Sequence, residues 1–473
     1  MNQENTAFSY RVWNLGCKCN RYEADAVALY FSKQGGREAM EEEEADICLL
    51  NTCTVTAEAG RKSRQALRRL RRENPEAILA VMGCHSQLED MAELVDLQTG
   101  VEGRIRLAED CLTLWKSRKL GKDDPSLASQ QVQPREHDYE ELGLVELQSE
   151  TRAQIKICDG CEQYCSYCAI CLARGKVRSR SRESILEEAK ILAERGVKEI
   201  ILTATHLCSF EREMGRDTTA LVELLEALDE VDGIERIRLG SLEPASLTED
   251  ILRRMAKVKK LCPHFHLSLQ SGSDTVLKRM RRRYTTAEYA KVCSLLRQLF
   301  DDPSITTDIM VGFAEESEEE FEESLAFVEK IAFSRIHVFR YSVRENTAAA
   351  RMQQVDPEIS RERSERLQEL ADRLARESME ARLGSIETII LEELQEDGGY
   401  TGTSERYDTL YLPAVYLEEP PQIVGLSCLT EFLNELKQEE LEVKEKAPLF
   451  KQGELLKVKL EALEGDRIRV RPV

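Results

Sequence analysis

Three cysteines, Cys161, Cys165 and Cys168, fall within eight residues in the run DGCEQYCSYC. The spacing Cys-x3-Cys-x2-Cys commits this loop to presenting three thiolates to one centre. A four-iron cluster held by three cysteines keeps one iron open, and an open iron can chelate the amino and carboxylate groups of S-adenosylmethionine (SAM). A structural zinc would need a closed fourth ligand, usually from a second pair well downstream. The chain around such a loop must bury the cluster and keep one side of it accessible.

The chain has 473 residues, enough for about three domains. Its 42% hydrophobic content supports ordinary cores, and no apolar run reaches the ~20 residues needed to cross a bilayer. The opening MNQENTAFSYRVW lacks the pattern of a secretion signal, so a cytoplasmic location without membrane association is expected. There fifteen cysteines stay reduced, which ranks cluster ligation above disulfides. Net charge is −21, yet basic residues cluster at Arg61 to Arg72, Arg174 to Arg182 and Lys278 to Arg283. Such patches on an acidic body suit local phosphate contact; as solvated helix faces they would carry no function.

Residues 1–120 alternate strand-like and helix-like segments. The runs Tyr10 to Leu15, Ile47 to Asn51 and Ile78 to Met82 end at Cys17, Cys53 and Cys84. Three buried parallel strands of this kind would put three thiols at the carboxyl edge of one sheet. Residues 121–150 lack periodicity and are expected to form a linker. From 151 to 384, six strand segments (Gln154–Cys158, Glu199–Thr203, Arg236–Leu239, Phe265–Leu269, Ile305–Val311 and Arg335–Phe339) alternate with helical patterns. They predict a (β/α)6 partial TIM barrel with its site at the strand carboxyl ends, followed by a long charged helix from Arg361 to Arg382. Residues 385–473 change to short alternating strands, with helical EFLNELKQEE between them, and predict a small β-barrel. There 19 acidic residues outnumber 10 basic ones, so charge gives no sign of RNA binding by this part.

These segments resemble the methylthiotransferase family of radical-SAM enzymes along almost the whole chain. The resemblance rests on NLGCKCNRYEADA, NTCTVT, MGCHSQ, DGCEQYCSYC and ARGKVRSR. It is closest to the subgroup that modifies N6-threonylcarbamoyladenosine beside the tRNA anticodon, through LGCK with N-x-YE, RKSRQALRR, HL-x-SF, RIRLGSLEP and HVFRYSVR-x-NTAAARM. It implies an α/β N-terminal domain with an auxiliary cluster, a radical-SAM core and a C-terminal TRAM-like barrel. The implied cofactors are two 4Fe–4S clusters and SAM, one cluster held by Cys161, Cys165 and Cys168 and the other by Cys17, Cys53 and Cys84. Tyr167 would flank the adenine of SAM, and Thr203, Ala204, Ser241, Glu243, Ser268 and Gln270 would lie at its other contacts. The implied reaction delivers a methylthio group to carbon 2 of the adenine, using a 5′-deoxyadenosyl radical. The partners would be a tRNA anticodon stem-loop, held by its phosphates through the basic stretches, and a reducing electron donor, with the enzyme acting as a monomer.

Several residues depart from the family pattern. Ala204, Cys208 and Asn346 occupy usual glycine positions, Ala314-Glu315 stand where Pro-Gly is typical, and Arg340 replaces a proline. Cys158 and Cys171 are extra thiols, and Cys165-x2-Cys168-x2-Cys171 offers a second register in which a fourth cysteine would close the open iron. Cys19, Cys48, Cys111, Cys262, Cys293 and Cys428 are expected to be structural thiols, and His85 and His206 to satisfy hydrogen bonds. Two alternatives follow: an iron–sulfur tRNA-binding protein with impaired catalysis, and a methylthiotransferase acting on a ribosomal-protein side chain.

Overall fold

The computed structural model describes residues 7–40, 43–55, 57–121, 138–143, 151–416 and 450–473. Most of 121–150, the EFLNELKQEE segment and Cys428 lie outside them. The chain divides into two compact units, Met1–Ser378 and Met379–Val473, each taken by itself.

The first unit opens with a five-stranded parallel sheet: β1 (Phe8–Asn14), β2 (Gly36–Glu38), β3 (Ile47–Thr52), β4 (Ile78–Gly83) and β5 (Leu97–Gln98), in the order β2-β1-β3-β4-β5. Every residue of β3 and β4 is buried because both sheet faces are covered. Ile47, Leu49, Ile78, Ala80 and Met82 pack into one apolar cluster, while Cys48, Leu50, Leu79 and Val81 pack into another. The period-two alternation of a strand sends neighbours to opposite sides. The helices are α1 (Lys18–Lys33), α2 (Ala57–Glu73), α3 (Cys84–Leu88) and α4 (Arg104–Lys119).

In the same unit, β6 (Arg152–Asp159) leads through α5 (Ile170–Arg174), the short β7 (Arg178–Ser179) and α6 (Arg182–Glu194) to β8 (Glu199–Ala204). Then follow α7 (Thr219–Asp229), β9 (Arg236–Leu239), α8 (Glu249–Met255), β10 (His264–His266), α9 (Asp274–Arg279), α10 (Thr286–Leu299), β11 (Ser304–Val311), α11 (Glu318–Ile331), β12 (Arg335–Arg340) and α12 (Pro357–Ala381). Capping boxes at Thr285/Glu288 and Ser317/Glu320 start α10 and α11, each satisfying exposed N–H groups at the helix start. Strands β6, β8 and β9 form one parallel run, and β10, β11 and β12 another. Isolated bridges Ile237↔Leu261 and Leu242↔Leu267 join β9 to the β10 region, completing six strands in sequence order. Strand β10 is shorter than the predicted Phe265–Leu269. Beyond it only isolated bridges such as Gln270↔Ile309 continue the pairing, and Gln270 has a left-handed φ of 71°.

The second unit is a closed barrel of β13 (Ile386–Leu394), β14 (Tyr400–Ser404), β15 (Thr409–Leu412), β16 (Leu455–Glu464) and β17 (Arg467–Pro472), in the order β13-β14-β15-β17-β16. Alternate residues Ile389, Leu391, Leu410, Leu412, Val458, Leu460, Ile468 and Val470 fill it. The sequence pattern of alternation anticipates this barrel but misses β14, whose Tyr-Thr-Gly-Thr-Ser has little apolar content.

Candidate active site

Cys17, Cys53 and Cys84 follow the carboxyl ends of β1, β3 and β4, so parallel pairing brings them to one edge. Gly83 makes this approach possible. Its φ is 107°, and a Cβ there would stand 2.3 Å from Asn51 Oδ1. Asn20 of α1 ties the edge together by donating from Nδ2 to Asn51 Oδ1 at 3.0 Å and to the Thr52 carbonyl at 3.1 Å. Cys17 is exposed, whereas Cys53 and Cys84 are buried. A hydrogen bond from the Cys19 thiol, aided by the Arg174 charge, lowers Cys17 to about 6. Burial, with Cys17 and Cys53 adding, pushes Cys84 up to about 12. The three thiols are thus within electrostatic reach of one another.

Cys161, Cys165 and Cys168 lie in the loop after β6. Gly160 begins it with φ of 81° because a Cβ would meet the Lys176 carbonyl at 1.9 Å. The Cys161 N–H donates to the Gly175 carbonyl at 3.0 Å, and the Cys168 N–H to the Cys165 carbonyl at 3.1 Å. Ser166 N–H reaches the Met280 carbonyl at 3.0 Å, and Ala349 N–H reaches the Ser166 carbonyl at 2.8 Å, clamping the loop from two sides. Tyr167 packs with Val276, Met280, Phe313 and Ala349. Burial pushes Cys161 up to about 11 and Cys168 up to about 12, with the neighbouring thiols adding to it.

A guanidinium faces each triad. Arg174 Nε donates to Cys84 Sγ at 3.1 Å, and Arg282 Nη1 to Cys165 Sγ at 3.4 Å. A third, Arg344, interacts electrostatically with both Cys53 and Cys168. Its Nε and Nη2 are buried and find no acceptor among the described residues. Buried guanidinium groups beside free thiols match anionic iron–sulfur groups, which need compensating charge in a low dielectric. The donor set therefore fits two clusters.

The N-terminal sheet is locked to the barrel by Glu23 of α1, which is fully buried. Lys156 Nζ lies 2.6 Å from its carboxylate, Arg174 Nη1 2.7 Å and Arg104 Nη2 2.9 Å. Burial alone would raise its pKa, but the three cations outweigh that and hold it at about 2. Asp159 shares Lys156 at 2.6 Å and Arg174 at 2.8 Å. Tyr22 adds a bond to Glu188 Oε2 at 3.1 Å. The N-x-YE motif is thus the strap between the two halves of this unit.

The remaining predicted positions lie at the barrel's strand ends. Thr203 Oγ1 is 3.6 Å from Cys19 Sγ, and Ala204 pairs with Cys158 in the ladder. Ser241 is exposed just past β9. Glu243 accepts from Arg282 Nη2 at 2.7 Å, and the Ser268 carbonyl accepts from the same atom at 3.1 Å. Gln270 N–H bonds the Asp308 carbonyl at 2.8 Å. Cys158 packs within the apolar core, and the Cys171 thiol donates to the Cys168 carbonyl at 3.6 Å. His85 lies 3.1 Å from Glu89, and His206 Nδ1 lies 2.7 Å from Ser209 Oγ, so both imidazoles are engaged.

One expectation is corrected. Arg174, Arg178 and Arg180 are buried in ion pairs with Glu23, Glu102 and Glu188, so they face no phosphate. Burial of a guanidinium requires a carboxylate partner; Glu23 and Glu102 sit far away in sequence, and Glu188 lies on the following helix α6. By contrast, Lys62, Arg68 and Arg72 of α2 are exposed. Arg174 and Arg282 lie in the basic clusters read from sequence as phosphate contacts, Arg344 lies within a family motif, and Glu23 and Asn20 appear there only as motif markers.

These features define a radical-SAM enzyme: three cysteines in one loop at the carboxyl ends of six parallel strands, an open partial barrel. The family model described as "Radical SAM superfamily" matches residues 155–328, and "Uncharacterized protein family UPF0004" matches 9–103. The chain is 36% identical to the threonylcarbamoyladenosine tRNA methylthiotransferase MtaB of Bacillus subtilis (strain 168), over 83% of this chain and 88% of that one. Its identity to the Aquifex aeolicus (strain VF5) protein of the same name is 35%, over 80% and 92%. A tRNA-2-methylthio-N(6)-dimethylallyladenosine synthase of Thermoanaerobacter sp. (strain X514) is 33% identical, over 82% and 83%. Among solved structures, the radical SAM methyltransferase TsrM from Kitasatospora setae aligns with a TM-score of 0.55 at 14% identity, over 73% of this chain and 77% of that one, a likeness of fold. The chain belongs to the radical-SAM tRNA methylthiotransferase family and is an enzyme that works with iron–sulfur clusters and SAM.

Proposed function

We propose that the protein transfers a methylthio group to carbon 2 of N6-threonylcarbamoyladenosine beside the anticodon of tRNA. The carrying observation is the presence of two complete cysteine triads in one compact unit, in a chain 33–36% identical to four relatives bearing that name. Residues 151–384 supply the radical-SAM core, with Cys161, Cys165 and Cys168 as ligands of one 4Fe–4S cluster and Tyr167 beside the SAM adenine. Residues 1–120 supply Cys17, Cys53 and Cys84 for the second, and 385–473 form the TRAM-like barrel. When bound, these groups supply reductive cleavage of SAM to a 5′-deoxyadenosyl radical and a methylated sulfur for transfer.

The chain's own task is positioning and exclusion of water. Arg174 and Arg282 neutralise charge at the two triads, and Glu243 orients Arg282. Thr203, Ala204, Ser241, Ser268 and Gln270 line the strand ends that would receive SAM. Exposed Lys62, Arg68 and Arg72 of α2 suit the phosphates of an anticodon stem-loop. The enzyme would act as a cytoplasmic monomer supplied by a reducing electron donor.

Mass spectrometry of tRNA nucleosides from cells lacking and regaining the protein tests this. The 2-methylthio form of threonylcarbamoyladenosine is expected to disappear and return. A change confined to the dimethylallyl nucleoside, or none at all, would refute the reading.

A further inference from the structure

Strands β10, β11 and β12 have one apolar face and one polar face. Phe265, Ile305, Ile309, Ile336 and Val338 join the core under the helices. The alternate residues His264, His266, Thr306, Asp308 and His337 therefore occupy the opposite face, toward the barrel interior. His266, Asp308 and His337 each bring a nitrogen or carboxylate oxygen to within 4.8 Å of the others. His266 is oriented at both ends, with Nδ1 3.0 Å from Thr306 Oγ1 and Nε2 3.3 Å from Asp308 Oδ2. His337 is the register partner of Asp308 and remains exposed.

Arg335, the register partner of Thr306, shares this polar face. Burial lowers the basicity of His264 and His337, and the Lys18 charge lowers it further, while the Asp308 carboxylate opposes this at His337. Arg335 bears on the same two imidazoles, and Arg238 on His264. The interior wall is thus hydrogen-bonding and carries the cation Arg335, whereas Arg238 is paired with Glu199 at 2.7 Å. An apolar substituent seated on it would add nothing to the polar groups of this wall that face the interior and would keep water from them. A substituent bearing a ureido N–H, a hydroxyl and a carboxylate would satisfy them, the first two donating to Asp308 and the last accepting from cationic donors.

We propose that His266, Asp308 and His337, with Arg335 on the same face, form the pocket for a carboxylate-bearing, hydrogen-bonding N6 substituent of the substrate adenosine. This rests on the reading of the protein as a tRNA adenosine methylthiotransferase. A site that rejects an apolar partner by leaving polar groups unpaired discriminates more strongly than one that only adds apolar contact.

The test uses the full chain with its clusters reconstituted, without reductant. Fluorescence anisotropy measures binding of anticodon stem-loops carrying threonylcarbamoyladenosine, its methyl ester, dimethylallyladenosine or unmodified adenosine. The threonylcarbamoyl form should bind about tenfold more tightly than the dimethylallyl form, and the ester should lose most of that advantage. His337→Ala and Asp308→Asn should abolish the preference while leaving binding of the unmodified stem-loop intact. Because the ester changes only the ligand, it decides the question even where a variant fails to fold. A preference kept by the ester and by both variants overturns the pocket alone. A preference lost on adding EDTA overturns direct recognition in favour of a bound divalent ion. Absence of 2-methylthio product on the threonylcarbamoyl stem-loop under turnover conditions would instead remove the functional reading beneath it.

Discussion

Arg174 Nε donates to Cys84 Sγ at 3.1 Å, although the two residues lie 90 positions apart, one ending α5 and the other starting α3. The same guanidinium reaches Glu23 and Asp159. It therefore serves both as a clamp between the two sheets and as the charge nearest one buried thiol of the N-terminal triad.

Replacing it should separate these roles. Arg174→Lys keeps a charge but loses the fork that serves Cys84, Glu23 and Asp159 together. Iron content of the reconstituted variant is expected to fall by roughly half, with SAM cleavage by the barrel triad retained. Full iron loading would show that the contact is incidental.

The two triads should be independently removable. Cys165→Ala is expected to abolish 5′-deoxyadenosine release, while Cys53→Ala keeps release and loses only methylthio transfer. Product analysis by liquid chromatography distinguishes the two. Cys171→Ser should keep both activities, and loss of SAM cleavage there would favour the alternative cysteine register.

Glu23 makes stability depend on pH in a defined direction. Its folded pKa of about 2 lies below the unfolded value near 4.5, so its contribution is full above 4.5 and is lost as pH falls toward 2. Glu23→Gln leaves three buried cations short of a partner and should cost about 3–5 kcal/mol at pH 7. Thermal melts of the chain without clusters should show the gap between variant and parent narrowing below pH 4.5. A gap independent of pH would contradict the assignment.

The exposed face of α2 should carry nonspecific affinity for RNA. Arg68→Glu with Arg72→Glu is expected to weaken tRNA binding about tenfold and to flatten its dependence on salt. Binding titrations at two salt concentrations check this, and an unchanged slope would place the RNA elsewhere.

Glu315 and Asn346 stand where the family usually has glycine, and both keep the left-handed backbone of a glycine, at φ of 62° and 65°. Asparagine tolerates this region, but glutamate pays a steric cost. Glu315→Gly should stabilise the protein by about 1 kcal/mol, read as a higher melting temperature. A lower melting temperature would mean that the side chain makes a compensating contact.

Both triads were legible in the sequence, one because its ligands fall in a single loop and the other because each ligand ends an apolar run. The strands of both units followed from the same runs, apart from the short β2, β5 and β7 and the polar β14. The long-range pairings were hidden. Glu23 and Arg174 are 151 residues apart, and nothing local marks a charged residue as buried. For the same reason the run Arg174 to Arg182 resembled an RNA-binding patch. The pocket on β10 to β12 was also hidden, since His266, Asp308 and His337 become neighbours only when three strands align in register.

Helix α1 begins beside Cys17 and, within two turns, reaches the buried carboxylate of Glu23 that grips the barrel. One rigid rod thus sets the gap between the two cysteine sets, and widening it would tear several desolvated charges from their partners. That gap is a gauge belonging to the chain itself, so in the proposed reaction it would fix how far a substrate base can stand from each centre.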